Sequence, residues 1–171
     1  MGLAARNWRL PKKAFTGPKS IFLSSEYSNN TVLAYNLIEH NGSNHNNVGY
    51  GILLPNAPDT GSVILNNTLV ANVSGQLHLK GTAMIVRNNL SSDTGYDVYS
   101  DGSYTATGDA RFVNLNNHDF KLQASSPYIS AGADLSDLRA DVQAILNQDI
   151  IGAPIKGKRT VGAYQFNPNN G

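Results

Sequence analysis

Ser62-Val-Ile-Leu-Asn-Asn-Thr-Leu69 returns in the same shape as Ala83-Met-Ile-Val-Arg-Asn-Asn-Leu90, and an earlier version stands at Asn30-Thr-Val-Leu-Ala-Tyr-Asn-Leu37. Each copy is followed by a second short apolar stretch: Gly51-Ile-Leu-Leu54, Gln76-Leu-His-Leu79 and Asp97-Val-Tyr-Ser100. The separation of Leu69 from Leu90 is also that of Gln76 from Asp97 and of His78 from Tyr99. Two elements recurring with one offset predict a solenoid of stacked coils, in which residues one repeat apart become neighbours on a flat face. The step from Leu37 to Leu69 is longer, and the excess fits a loop inserted around Asn41-Gly-Ser-Asn-His-Asn-Asn-Val-Gly49. Insertions in solenoids go to loops on one face, often the binding face.

The bulk composition agrees with a chain of short strands and many turns. Charged residues make up 15% of the chain, well under the usual fraction of about 25%, and asparagine is the most frequent residue. Asn and Gly tolerate the left-handed backbone of tight turns. The formal charge of +1 and the lack of a dominant basic patch argue against nucleic acid as a partner. The early basic run of Arg6, Arg9, Lys12, Lys13 and Lys19 reads as a solvated segment. With no cysteine, disulfides and thiolate metal sites are excluded. No apolar run approaches the roughly 20 residues of a membrane span, and the opening Met1-Gly-Leu-Ala-Ala-Arg-Asn7 has no apolar stretch of a signal peptide behind it.

Three segments follow. Residues 1–20 read as irregular, broken by Pro11, Gly17 and Pro18. Residues 21–133 read as the coils, ending in short strands at Ala110-Arg-Phe-Val113 and Phe120-Lys-Leu122. Over 134–171 the period changes. Leu135, Leu138, Val142, Ile145 and Leu146 fall at helical spacing behind Ser136, which predicts an amphipathic helix packed on the stack. Gly162-Ala-Tyr-Gln-Phe166 then predicts a closing strand of the same domain.

Within the coils, Val63-Ile-Leu65 and Met84-Ile-Val86 are apolar on both parities, as in parallel strands covered on both faces. In Gln76-Leu-His-Leu-Lys80 the alternation is clean, so Leu77 and Leu79 should point inward and Gln76, His78 and Lys80 outward.

The Ile64-Leu-Asn-Asn-Thr-Leu69 and Ile85-Val-Arg-Asn-Asn-Leu90 motifs resemble the repeat of the right-handed parallel β-helix family typified by pectate-lyase-like proteins. Phe112-Val113, Asp119-Phe-Lys-Leu122, Ser126-Pro-Tyr-Ile-Ser-Ala-Gly132, Asp149-Ile-Ile-Gly152, Arg159 and Gly162-Ala-Tyr164 resemble the closing segment of many secreted bacterial β-helix proteins. The resemblance spans about residues 30–166. It implies an all-β fold: a short right-handed parallel β-helix of about three to five coils, with one C-terminal helix and a closing strand. It also implies a secreted or cell-surface bacterial protein that faces a polysaccharide or oligosaccharide. The activities implied are polysaccharide lyase or glycoside hydrolase, with a non-catalytic adhesin or structural module as the alternative. Family members carry more coils before this closing segment, so the chain is expected to be a C-terminal fragment, or a short member covering its first coil by self-association.

The common offset sets Gln76 beside Asp97, His78 beside Tyr99 and Lys80 beside Asp101 on neighbouring strands about 4.8 Å apart. A carboxylate, an imidazole, a phenol and an amine on one patch are the groups needed for acid–base work on a sugar. A lyase removes the proton α to a uronate carboxyl and needs a cation, Lys, Arg or Ca²⁺, against the enolate. His78, Lys80 and Tyr99 are the catalytic candidates, and Gln76, Asp97 and Asp101 the substrate-binding ones. The bland reading of the same residues is a solvated sheet face with an ordinary Lys80–Asp101 ion pair. Asp97 and Asp101 are roughly 13 Å apart along a strand, too far for the pair of acids in an inverting hydrolase.

The turn columns hold one further candidate. His40, Asn72 and Asp93 should stack as a Ca²⁺ or sugar site, or as plain turn chemistry. Asn36/Thr68/Asn89 and Tyr35/Asn67/Asn88 read as buried ladders. Arg87 breaks its column, as an ion pair or a site arginine. Phosphate loops, zinc-protease helices and nucleophile elbows are absent from the sequence.

Overall fold

The computed structural model describes residues 9–11, 14–16, 21–22, 30–41, 49–54, 61–80, 84–91, 97–99 and 105–168. Short strands build four coils of three, with left-handed corners at Tyr35, His40, Asn66, Ala71 and Asn88. The first is β1 (Arg9–Pro11), β2 (Ala14–Thr16) and β3 (Ile21–Phe22). The second is β4 (Val32–Ala34), β5 (Leu37–Glu39) and β6 (Tyr50–Leu54). The third is β7 (Val63–Leu65), β8 (Thr68–Val70) and β9 (Gly75–Lys80). The fourth is β10 (Ile85–Arg87), β11 (Asn89–Ser91) and β12 (Asp97–Tyr99). A further strand, β13 (Thr105–Thr107), adds to β11. Stacking gives three parallel sheets in the orders β1-β4-β7-β10, β2-β5-β8-β11-β13 and β3-β6-β9-β12. This is an all-β parallel β-helix. The expectation of an irregular segment over residues 1–20 is corrected, because β1 and β2 lie there and pair with β4 and β5.

The repeat spacing differs from the expected one. Val32 pairs with Val63 and Val63 with Ile85, the same steps of 31 and 22 that part Asn36 from Asn67 and Asn67 from Asn89. The apparent leucine column therefore splits. Leu37 and Leu90 both stand beside Thr68, while Leu69 pairs with Ile38. A slip of one residue exchanges the faces of a strand. Leu33, Ile38, Ile52, Leu54, Ile64, Leu69, Leu77, Leu79, Met84 and Val86 accordingly fill the interior of the helix.

The same correction realigns the asparagines into one ladder, Asn36–Asn67–Asn89. Asn67 Oδ1 accepts from Asn36 N and Nδ2, both at 2.9 Å. Asn89 Oδ1 accepts from Asn67 N at 3.0 Å and Nδ2 at 2.8 Å. Each corner puts the preceding residue at positive φ: 54° at Tyr35, 50° at Asn66 and 59° at Asn88. Among residues with a side chain, Asn adopts that backbone at least cost. A second ladder starts at the next corner, where Asn41 N donates to Asn72 Oδ1 at 3.1 Å.

After β13 the chain leaves the stack and wraps it. β14 (Phe112–Asn114) and β15 (Asp119–Leu122) form an antiparallel hairpin. Leu135, Leu138, Val142 and Leu146 cover the outer face of the first sheet at Val32, Ala34, Val63 and Leu65. Phe120 covers Leu37 and Val70 on the second sheet, and Leu122 and Val161 cover Leu90. Burying each such side chain is worth about 1.5–3 kcal/mol. This explains why the triplets are apolar on both parities.

Two expected elements are corrected. The helical stretch holds only α1 (Ala140–Gln143) between turns. Its apolar period still marks the buried face, but Ser136 bonds Asp134 in a local turn instead of capping a helix. Gly162–Phe166 is not a strand. Gly162 turns at φ 97°, its amide donating to the Asn88 carbonyl and the Ala163 amide to Thr68 Oγ1.

The corners hold this tail in sequence. Asn88 exchanges two hydrogen bonds with Ala133, at 2.7 and 3.0 Å. Asn66 Nδ2 donates to the carbonyls of Thr160 and Gly162 at 3.0 and 3.2 Å. Arg159 Nη1 donates to the Tyr35 hydroxyl at 2.8 Å. Asp149, fully buried, accepts from the amides of Ile151, Ala153 and Gln165 at 3.0, 2.8 and 3.0 Å.

Candidate functional site

The tail covers two sheets. Among the described residues, its apolar clusters take in nothing from the third. In that sheet Ile52 and Leu54 pair with Leu77 and Leu79, and all four are buried in the interior. The alternation places their neighbours Leu53 and His78, themselves register partners, on the outer face. Both are partly exposed. The Tyr50 ring lies 5.0 Å from the His78 ring, tilted by 46°. The Tyr50 ring at the start of β6 thus packs against the imidazole at an outward position of β9.

The expected neighbours on this face change partners. Asp97 pairs with His78 and Tyr99 with Lys80, each two positions away from the partner that the repeat predicts. A shift of two preserves parity, so His78, Lys80, Asp97 and Tyr99 stay at positions of one face while their pairing changes. Strand spacing is set by contact between strands, whereas the turns of each coil absorb different lengths. A single repeat length therefore fails from sheet to sheet. Asp101 and Asp93 lie outside the described residues.

Gln76 departs from its expected exposure. It is 1% exposed, and Asn72 Nδ2 donates to its Oε1 at 2.5 Å. Gly51 is the reason: a Cβ there would sit 2.7 Å from the Gln76 carbonyl and 2.9 Å from Asn72 Nδ2. The strands close over this bare spot, and the amide supports the Asn72 corner instead of facing solvent.

Of the expected stack His40–Asn72–Asp93, the first step is corrected, since Asn72 pairs with Asn41 and not with His40. His40 instead shares a neighbour with a residue remote in sequence. His118 Nδ1 is 2.6 Å and His40 Nδ1 3.2 Å from the same oxygen, Oε2 of Glu39. The two imidazoles meet edge to face at 5.4 Å. Arg87 resolves as an ion pair to Asp137, with Nη1 2.7 and 2.9 Å from the two carboxylate oxygens. The guanidinium holds the Asp137 carboxyl below the usual carboxylate range. Burial raises the Tyr164 phenol above its ordinary value, assisted by the charges of Asp119, Asp149 and Glu39.

Sequence reasoning missed Tyr50, Glu39 and His118. Tyr50 stood at the edge of an inserted loop, and 79 residues separate Glu39 from His118, with no repeat to relate them.

No protein-family model and no curated protein matches the chain. Its architecture is that of the parallel β-helices. Among solved structures, the crystal structure of pectate lyase Pel9A superposes with a TM-score of 0.55 at 16% identity, covering 93% of this chain and 50% of that one. The likeness shows the fold, and the chain spans half the length of that enzyme. No helix among the described residues is long and apolar enough to cross a membrane.

Proposed function

We propose that this chain is a polysaccharide-facing β-helix of the carbohydrate-active kind, secreted or displayed on the cell surface, and that the outer face of its third sheet is the saccharide surface. The observation that carries this reading is the asymmetry of coverage. Apolar tail residues seal two sheets, while the third presents Tyr50 and His78 beside the register positions of Lys80, Asp97 and Tyr99. Fold likeness to a pectate lyase supports the substrate class.

The chemistry we assign is β-elimination on a uronate. His78, the register partner of Asp97, takes the proton α to the carboxyl group. Lys80 stands against the carboxylate as enolate charge develops. The bond to the β oxygen breaks, and Tyr99 returns a proton to the leaving oxygen. Gln76 acts at one remove, by holding the Asn72 corner. Incubation with acidic and neutral oligosaccharides, followed by ultraviolet absorbance of the unsaturated product, tests the reading. Acidic substrates should yield that product. Saccharide binding with neither unsaturated product nor new reducing ends would make the chain a non-catalytic module. No binding to either class would remove the saccharide reading altogether.

A further inference from the structure

Glu39, His40 and His118 come together at a place that no repeat or motif announces. Glu39 follows Ile38 on β5, and since Ile38 fills the interior, Glu39 faces outward beneath the β14–β15 hairpin. Its register partner is Val70, and the cluster over this face is Leu37, Val70 and Phe120. The side chain is only 2% exposed. A carboxylate taken out of water among apolar groups is costly unless its charge is met. Two imidazoles present Nδ1 to one of its oxygens, and the Tyr164 phenol lies within reach of its charge. A divalent cation bound by all three groups would meet that charge as well.

The donor set selects the metal. One ligand atom from each residue lies within 4.8 Å of the other two. Around Zn²⁺, with bonds of about 2.0–2.2 Å, such atoms stand about 3.3 Å apart, so small side-chain adjustments seat the ion. Imidazole with one carboxylate suits Zn²⁺ and its borderline neighbours. Ca²⁺ wants six to eight oxygens. Both histidines are more than half exposed, at 52% and 59%, which leaves the remaining coordination positions to water.

We infer that Glu39, His40 and His118 bind one Zn²⁺-class ion that clamps the C-terminal hairpin to the second sheet. His40 belongs to the corner after β5 and His118 to the hairpin turn before β15, so the ion would join the solenoid to its wrap. Binding turns each Nδ1 lone pair to the metal, with the ring proton on Nε2.

The test uses the full chain after chelation and dialysis, titrated calorimetrically with ZnCl₂ and separately with CaCl₂. His40 and His118 have φ of 50° and 57°, so His40→Asn and His118→Asn keep a residue that tolerates this backbone. One Zn²⁺ per chain is expected, with a raised Tm in excess Zn²⁺ and stronger hydrogen-exchange protection of residues 112–122. Each variant should weaken binding by at least the roughly 10–100-fold that loss of an outer-shell partner costs, and His78→Asn should not. The proposal is overturned by no Zn²⁺ uptake, by CaCl₂ binding as tightly as ZnCl₂, or by both variants binding Zn²⁺ like the parent chain. It is equally overturned if Zn²⁺ binds without protecting the hairpin.

Discussion

Tyr35 and Arg159 are 124 residues apart in the chain, yet Arg159 Nη1 donates to the Tyr35 hydroxyl at 2.8 Å and to the Leu146 carbonyl at 2.8 Å. One guanidinium thereby ties a corner of the second coil to two parts of the tail. Tyr35→Phe keeps the ring and removes this acceptor, so it should cost about 2 kcal/mol, in the range for a hydrogen bond to a charged group. Urea unfolding at neutral pH measures it.

The same phenol predicts an alkaline limit. Burial raises its pKa, outweighing the lowering by Arg159. A pKa raised on folding gives stability that is full below the unfolded value of about 10 and is lost as pH rises through the folded value. Tyr164 acts in the same direction. Urea midpoints should therefore fall above about pH 10, and less steeply in Tyr35→Phe. An identical alkaline slope in both proteins would remove Tyr35 from the account.

Asn67 is the middle rung of the ladder. It accepts twice from Asn36 and donates to Asn89 Oδ1 and to the Leu33 carbonyl, the last at 3.0 Å. Asn67→Ala strands several buried groups at about 1–3 kcal/mol each, so a loss of roughly 3 kcal/mol or more is expected. Asn36→Ala, at the end of the ladder, should cost less. Equal losses would mean that the ladder does not act as a unit.

Two glycines separate backbone strain from crowding. Gly162 and Gly157 both have positive φ, 97° and 70°. A Cβ at Gly162 would meet Thr68 Oγ1 at 2.7 Å, whereas none of the surroundings of Gly157 lies within 4 Å. Gly157→Ala should cost about 1–2 kcal/mol from backbone alone. Gly162→Ala should cost more, because it also displaces the Ala163 amide from Thr68 Oγ1. Thermal melts of the two variants decide it, and equal costs would discount the crowding.

On the third sheet, Lys80→Ala should lower turnover of uronate oligosaccharides by about 10²-fold or more, with Tm unchanged. Tyr50→Ala should weaken binding by about tenfold, or about 1.4 kcal/mol. Product formation that survives both His78→Ala and Lys80→Ala would move the chemistry off this face.

Alternation was enough to orient Leu77, Leu79 and His78, because among the described residues no apolar tail cluster reaches the outer face of that sheet. It failed for Val63–Leu65, because the tail seals their outer side and no polar residue marks it. The matching leucines Leu37, Leu69 and Leu90 misled by one position: two lie outside and one inside, and all three are buried. The asparagine ladder was the better ruler, since an amide must meet its neighbour's amide at hydrogen-bond length. The tail helix shrank to a single turn because Asp134 and Ser136 bond locally while Arg139 reaches Asn30. The Glu39 cluster was invisible for want of any periodic relation, as was the exchange of partners around His78.

A solenoid ordinarily behaves as a one-dimensional array whose units can come apart from the ends. Asn88, Asn66 and Tyr35, on three successive coils, all hold one length of tail. That cross-linking makes the fate of each coil depend on the others, so melting is expected as one cooperative transition. It also means that ribosomal synthesis must pass Gly162 before the outer sides of the first two sheets can leave water.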